Sequence, residues 1–149
     1  MALLSPADQQ ALRDAFLQLS RRVRLLFFTQ TIGCETCVQT REILDELPPL
    51  SDKVVVEEVN LVLDKEKAAQ FGVDRAPTIA LLYDDPEPNG GPRDSRIRFL
   101  GTPAGYEFAS LVHAVLLVGG RASALGPGSL EKLAAVDKPL TLQVFTTPT

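Results

Sequence analysis

Two residues in this chain can do redox chemistry. Cys34 and Cys37 are its only cysteines and form the run Cys34-Glu35-Thr36-Cys37. Two thiols with two residues between them can close a small disulfide ring and open it again, which is the chemistry of thiol–disulfide exchange. The pair alone leaves other uses open. It could be a structural staple. It could supply half of a zinc site, but two thiols need two more ligands and His113 is the only histidine. It could hold an iron–sulfur cluster shared between two chains through Cys34.

The surrounding elements decide among these uses. Ser5-Pro6-Ala7-Asp8 reads as a helix start, and Leu12, Phe16 and Leu19 follow at helical spacing. Val23 to Thr29 is a short apolar run without that spacing, as expected of a strand buried on both faces. The cysteines come directly after it. Residues Cys34 to Leu47 are predicted to be helical, stopped by Pro48 and Pro49. That placement puts Cys34 at a helix start, where unpaired N–H groups and the helix dipole favour a thiolate, with Glu35 partly offsetting the effect. Cys34 is then the exposed nucleophile, and Cys37, one turn further in, resolves the mixed disulfide.

Lys53 to Val59 is β-branched and predicts a second strand. Asp64 caps a short helix that ends at Gly72. Ala76-Pro77-Thr78 opens a third strand, Ile79 to Tyr83, and a Pro- and Gly-rich loop over 84–94 leads back through Ser95 to Leu100. Phe108, Leu111, Val112 and Val115 give a helix closed near Gly119-Gly120. The fold class is α/β: a four-stranded mixed sheet with helices on both faces. In this order Pro77 can lie across the sheet from the cysteine turn. A cis Ala76–Pro77 bond would leave backbone groups beside Cys34 free to pair with a substrate chain.

Residues 1–120 are expected to form this unit. Residues 121–149 are expected to add a linker helix from Ser129 to about Val136 and a strand at Leu140–Phe145. The ending echoes the approach to the first cysteine: Arg24 to Thr31 resembles Thr141 to Pro148 in pattern. It stops where a second cysteine motif would begin.

At 149 residues and a net charge of −4, the chain suits one globular unit and argues against nucleic acid or an anionic membrane as a partner. The cluster Arg21, Arg22 and Arg24 reads as a solvated turn between elements. No stretch approaches the roughly 18 apolar residues of a membrane span. The start, Met1 to Pro6, lacks the features of a signal peptide, so a cytoplasmic location is expected. His113, in a late apolar helix, reads as a helix residue rather than a catalyst. Arg75 reads equally as a charge favouring the thiolate or as a solvated loop residue.

A strand, Cys-x-x-Cys at a helix start, a β-α pair, Ala-Pro-Thr before a hairpin and a last helix together resemble the thioredoxin/glutaredoxin superfamily. More narrowly, Val73-Asp74-Arg75-Ala76-Pro77-Thr78 and Gly101 to Phe108 resemble the N-terminal half of glutaredoxin-like protein disulfide oxidoreductases, which carry two thioredoxin-fold units in one chain. The resemblance implies a thioredoxin fold with an extra N-terminal helix and a C-terminal helix–strand extension. It makes Cys34 the attacking thiol, Cys37 the resolving thiol and Pro77 a cis-proline, with Ala76 and Thr78 flanking a substrate groove. It implies neither a cofactor nor a metal. It also implies that a second unit follows residue 149. Three positions depart from the pattern: Gly33 replaces the aromatic residue usual before the first cysteine, Phe28 stands where thioredoxins bury an acid, and Glu35-Thr36 replaces the Pro-Tyr of glutaredoxins.

The expected function is therefore thiol–disulfide exchange on protein disulfides. A thioredoxin-reductase-like protein is the expected electron donor, and the C-terminal strand is a candidate homodimer contact. Two other roles fit the same residues: a binding module whose cysteines are inert or act as a redox switch, and an electron-transfer domain of a peroxide-reducing system.

Overall fold

Strand β1 (Val23–Thr29) lies inside the sheet because its side chains are apolar toward both faces. It pairs in parallel with β2 (Val54–Asn60) and antiparallel with β3 (Thr78–Asp84), and β4 (Pro92–Leu100) adds antiparallel to β3. The order is β2-β1-β3-β4. The computed structural model that gives this architecture describes residues 3–147.

Alternation along the strands divides the core in two. Val23, Leu25 and Phe27 of β1 and Ile79 and Leu81 of β3 join Phe16, Leu44, Leu111 and Val115. These come from α1 (Pro6–Phe16), α2 (Cys37–Asp45) and α4 (Tyr106–Val118). Leu26, Phe28, Ala80 and Leu82 point the other way, against Ala68 and Phe71 at α3 (Lys65–Gln70). Helices thus cover both faces, and each fully buried Leu or Phe contributes about 1.5–3 kcal/mol relative to exposure.

Local signals explain most of the boundaries. The Ser5 hydroxyl accepts from the Asp8 N–H at 3.2 Å, and Asp64 accepts from the Lys67 N–H at 3.3 Å. The arginine cluster is not a solvated turn. Arg21 donates to the Val118 carbonyl at 2.7 Å and lies 3.7 Å over the Tyr83 ring, while Arg24 makes a two-pronged bond to Asp84. The end of α4 is thereby tied to the α1–β1 connection. A Cβ at Gly119 would come within 2.1 Å of Leu19 Cδ2, so a side chain there would force the buried Leu19 to move.

The returning strand begins three residues earlier than Ser95, at Pro92, which a proline tolerates at the start of an edge strand. A register shift between Ala80 and Leu82 marks a bulge, with Arg96 at φ 66°.

The C-terminal segment differs from expectation. Helix α5 spans Pro127–Ala134 and buries no side chain. Residues Leu140–Phe145 form no strand; Leu142, Val144 and Phe145 are 86–89% exposed. A strand needs a ladder partner, and none of the described residues supplies one to this segment. Pro148 and Thr149, the end of the sequence echo, lie outside the described residues, as do Met1 and Ala2. Among the described residues no helix is long and apolar enough to cross a membrane.

Candidate redox site

The register of the sheet brings the distant candidate residues to one end. Phe28 of β1 stands opposite Thr78 of β3, and Thr78 stands opposite Leu100 of β4. The loop after β1 carries the cysteines, the segment before β3 carries Ala76 and Pro77, and the turn after β4 carries Gly101 and Thr102. All three leave the sheet at the same end.

Cys34 and Cys37 are joined by a disulfide, with their Cα atoms 5.5 Å apart. Helix α2 begins at Cys37, three residues later than expected, so Cys34 stands in the turn before it. Gly33 opens that turn at φ 78°, a left-handed conformation suited to glycine. The helix ends at Asp45, and Pro48, which has no N–H to donate, cannot continue its hydrogen-bond ladder. Cys37 is 4% exposed and belongs to the larger core cluster; Cys34 is only partly buried and packs against that cluster, as does Ala76. A partly exposed cysteine is thus bonded to a buried one.

Thr36 is the N-cap of α2, and its side chain makes no capping bond. Among the described residues, the N–H groups of Cys37, Val38 and Gln39 have no acceptor. Unsatisfied amides at a helix start favour a neighbouring anion. The Thr36 carbonyl, by contrast, is crowded with donors. It accepts from the Thr40 N–H at 2.9 Å and from the Thr40 hydroxyl at 2.9 Å. Thr102 Oγ1 lies 2.8 Å from Thr40 Oγ1 and 3.4 Å from the Thr36 carbonyl.

The Ala76–Pro77 bond is cis. The Pro77 carbonyl accepts from the Gly101 N–H at 2.9 Å. Among the described residues, neither the N–H nor the carbonyl of Ala76 is hydrogen-bonded. Thr78 is almost fully buried, and its hydroxyl donates to the Arg75 carbonyl at 2.7 Å. Its side chain therefore holds the turn that precedes β3. Arg75 is two-thirds exposed and grips Asp74 through two bonds, of 2.8 and 3.2 Å. That pairing holds the Asp74 carboxyl below its usual range and spends the arginine's charge locally. His113 is exposed on α4.

Phe28 is fully buried, with its ring centroid 6.3 Å from that of Phe71. The buried polar residues among those described are Thr29, Thr40 and Thr78. None of them ionises in the range where thiols do. Sequence reasoning missed Thr40 and Thr102. The only signal was a polar residue at the buried helical position three after Cys37.

No family model matches the chain. It is 31% identical over 107 residues to an alkyl hydroperoxide reductase component of Escherichia coli (strain K12), covering 72% of this chain but 17% of that protein. It is 30% identical over 81 residues to a probable thioredoxin of Methanothermobacter thermautotrophicus, covering 54% of this chain and 81% of that one. Among solved structures, the N-terminal domain of the alkylhydroperoxide reductase AhpF of Enterococcus faecalis aligns with a TM-score of 0.76 at 27% identity, over 91% of this chain and 62% of that one. A protein disulfide oxidoreductase from Aeropyrum pernix shares the fold, with a TM-score of 0.72 at 24% identity, over 88% of this chain and 54% of that one. A thioredoxin covered over four-fifths of its length, a matching fold and a closed Cys34–Cys37 pair lead to one assignment. The chain belongs to the thioredoxin family of thiol–disulfide oxidoreductases.

Proposed function

We propose that the chain exchanges disulfides with protein substrates, with Cys34 as the attacking thiol and Cys37 as the resolving thiol. In the reduced chain the Cys34 thiolate attacks one sulfur of a substrate disulfide. A Cys34–substrate S–S bond forms, the substrate's own S–S bond breaks, and the departing substrate thiolate takes a proton from water. Cys37 then loses its proton to water and attacks the Cys34 sulfur. The second substrate thiolate leaves and is protonated, and the Cys34–Cys37 disulfide remains. Two electrons have passed to the substrate. The reverse sequence forms disulfides.

The observation that carries this reading is the asymmetry of the pair: Cys34 is accessible before an uncapped helix start, and Cys37 is buried behind it. The free N–H and carbonyl of Ala76 support it, since an extended substrate chain can bond to both. With Phe28 where an acid would stand, water is the proton acceptor for Cys37. The test is reduction of insulin by dithiothreitol with wild type and Cys34→Ser. Wild type should accelerate precipitation of the insulin chains and the variant should not; equal rates would remove the catalytic role.

The likeness to two hydroperoxide reductase proteins favours a second reading, in which this unit passes electrons within a peroxide-reducing system. The chain spans about a sixth of the Escherichia coli protein, so the remaining machinery would lie in another unit or partner. On either reading a reductase-like donor returns two electrons to Cys34–Cys37, as expected in the cytoplasm. Residues 121–149, with their exposed apolar side chains, would connect this unit to a second one. Peroxide-dependent consumption of NADPH, with a reductase and a peroxidase added, distinguishes the second reading from insulin reduction alone.

A further inference from the structure

The peptide between Thr36 and Cys37 has two ends with different surroundings. Its carbonyl accepts the Thr40 N–H and the Thr40 hydroxyl, each at 2.9 Å. Its N–H, on Cys37, has no partner among the described residues. That amide belongs to the residue whose sulfur is bonded to Cys34, at the helix start directly after the Cys34 turn.

The shorter contacts favour one assignment of the hydroxyl protons. Each threonine hydroxyl has a single hydrogen. With Thr40 donating to the Thr36 carbonyl at 2.9 Å, Thr102 donates to Thr40 Oγ1 at 2.8 Å; the reverse arrangement, Thr40 to Thr102 and Thr102 to the same carbonyl, ends on the longer 3.4 Å bond. The result is a chain of three acceptors and donors: Thr102 to Thr40 to the Thr36 carbonyl. Thr40 is fully buried, so water does not compete for its hydroxyl. In such surroundings hydrogen bonds polarise one another, and a carbonyl that accepts more strongly leaves the N–H of the same peptide a stronger donor.

We propose that Thr40 is a positioning residue for the redox pair: its hydroxyl, anchored by Thr102, holds and polarises the Thr36–Cys37 peptide so that the Cys37 N–H stabilises the Cys34 thiolate. The inference rests on the exchange reading above and adds a cause for the reactivity of this particular pair. The residue next to Thr102 gives it a second consequence. Gly101 donates to the Pro77 carbonyl at 2.9 Å, so one short segment steadies both the cysteine turn and the segment that carries Ala76.

The test uses the fully reduced chain. The rate of alkylation of Cys34 by iodoacetamide is followed against pH, with peptide mapping to assign the sulfur. The equilibrium of the pair with glutathione is measured alongside. Thr40→Val, close in shape but lacking the hydroxyl, should alkylate about threefold more slowly at a pH well below the midpoint. Its midpoint should move up by roughly half a pH unit, the same change expressed as a titration. The glutathione equilibrium should shift by a similar factor toward the disulfide, because the reduced form has lost a stabilising bond. Thr102→Val should move both readouts in the same direction, and Thr40→Ser should restore wild-type values. A folded Thr40→Val with the wild-type midpoint overturns the proposal. If Thr40→Val does not fold, a wild-type midpoint in the partly exposed Thr102→Val overturns it. Failure of the exchange reading looks different: wild type and Cys34→Ser would then reduce insulin equally.

Discussion

Thr40 and Thr102 meet hydroxyl to hydroxyl at 2.8 Å, although 62 residues separate them in the chain. Their contact joins helix α2, which starts at Cys37, to the turn that follows β4. The same turn bonds the Pro77 carbonyl through Gly101. The two halves of the candidate site, cysteine turn and proline segment, are therefore not independent. Their spacing is set by two adjacent residues, Gly101 and Thr102.

The asymmetry of the sulfurs predicts a trapping experiment. Cys37→Ala leaves Cys34 able to attack but removes the thiol that releases the substrate. Mixed disulfides should accumulate with this variant and disappear on treatment with dithiothreitol, as read on non-reducing gels. Cys34→Ala should trap nothing, because Cys37 is buried at 4% exposure. Equal trapping by the two variants would reverse or erase the assigned roles.

Gly101 sits at φ 96°, and a Cβ there would meet no atom within 4 Å. The cost of Gly101→Ala is therefore backbone strain rather than collision, about 1–2 kcal/mol. Urea unfolding should show a lower midpoint with an unchanged slope. Because Gly101 also donates to Pro77, insulin reduction should slow as well. A variant as stable as wild type would show that the turn relaxes freely.

The sequence carried the sheet well because the apolar run Val23–Thr29 is buried on both faces, and because Pro77 and Gly101 punctuate the strands that follow. Ser5 and Asp64 announced two helix starts through side chains that do cap them. The start of α2 was misplaced for the converse reason. Thr36 caps with no side-chain bond, and the disulfide turn consumes Cys34 to Thr36 before the helix begins. The Thr40–Thr102 contact and the commitment of Thr78 to the Arg75 carbonyl depend on tertiary approach, which no local pattern encodes. The apolar alternation at Leu140–Phe145 met the criterion for a strand, but a strand is made by its neighbour as much as by its own residues.

Residues 122–147 are all exposed, and α5 buries no side chain. Removing residues 123–149 should therefore change the melting temperature by less than about 3 °C, since none of the described residues removed is buried in the core. The truncated chain should also reduce insulin at the wild-type rate. A large drop in melting temperature would mean that the tail packs on the unit or on a second copy of it.

The β4 bulge predicts acid sensitivity at Asp94. Arg98 donates to both carboxylate oxygens of Asp94, at 2.8 and 2.6 Å, and the Arg96 N–H donates to Asp94 Oδ1 at 2.8 Å. The Arg98 bonds are the main reason this carboxyl lies below its usual range, and partial burial works against them. Arg98 also donates to the Phe71 carbonyl at 3.1 Å, so the pair links β4 to the end of α3. A carboxyl depressed in the folded state adds stability that is fully present above its unfolded pKa, near ~3.9. That stability is lost as pH falls through the lower folded value. Carboxyl NMR should place the Asp94 midpoint below that of an exposed aspartate, and Arg98→Ala should bring it back up. Amide exchange in β4 should quicken in wild type as the carboxyl is protonated, but change little with acid in Arg98→Ala, where the partner is already gone. If both proteins loosen at the same pH, the acid response belongs to another group.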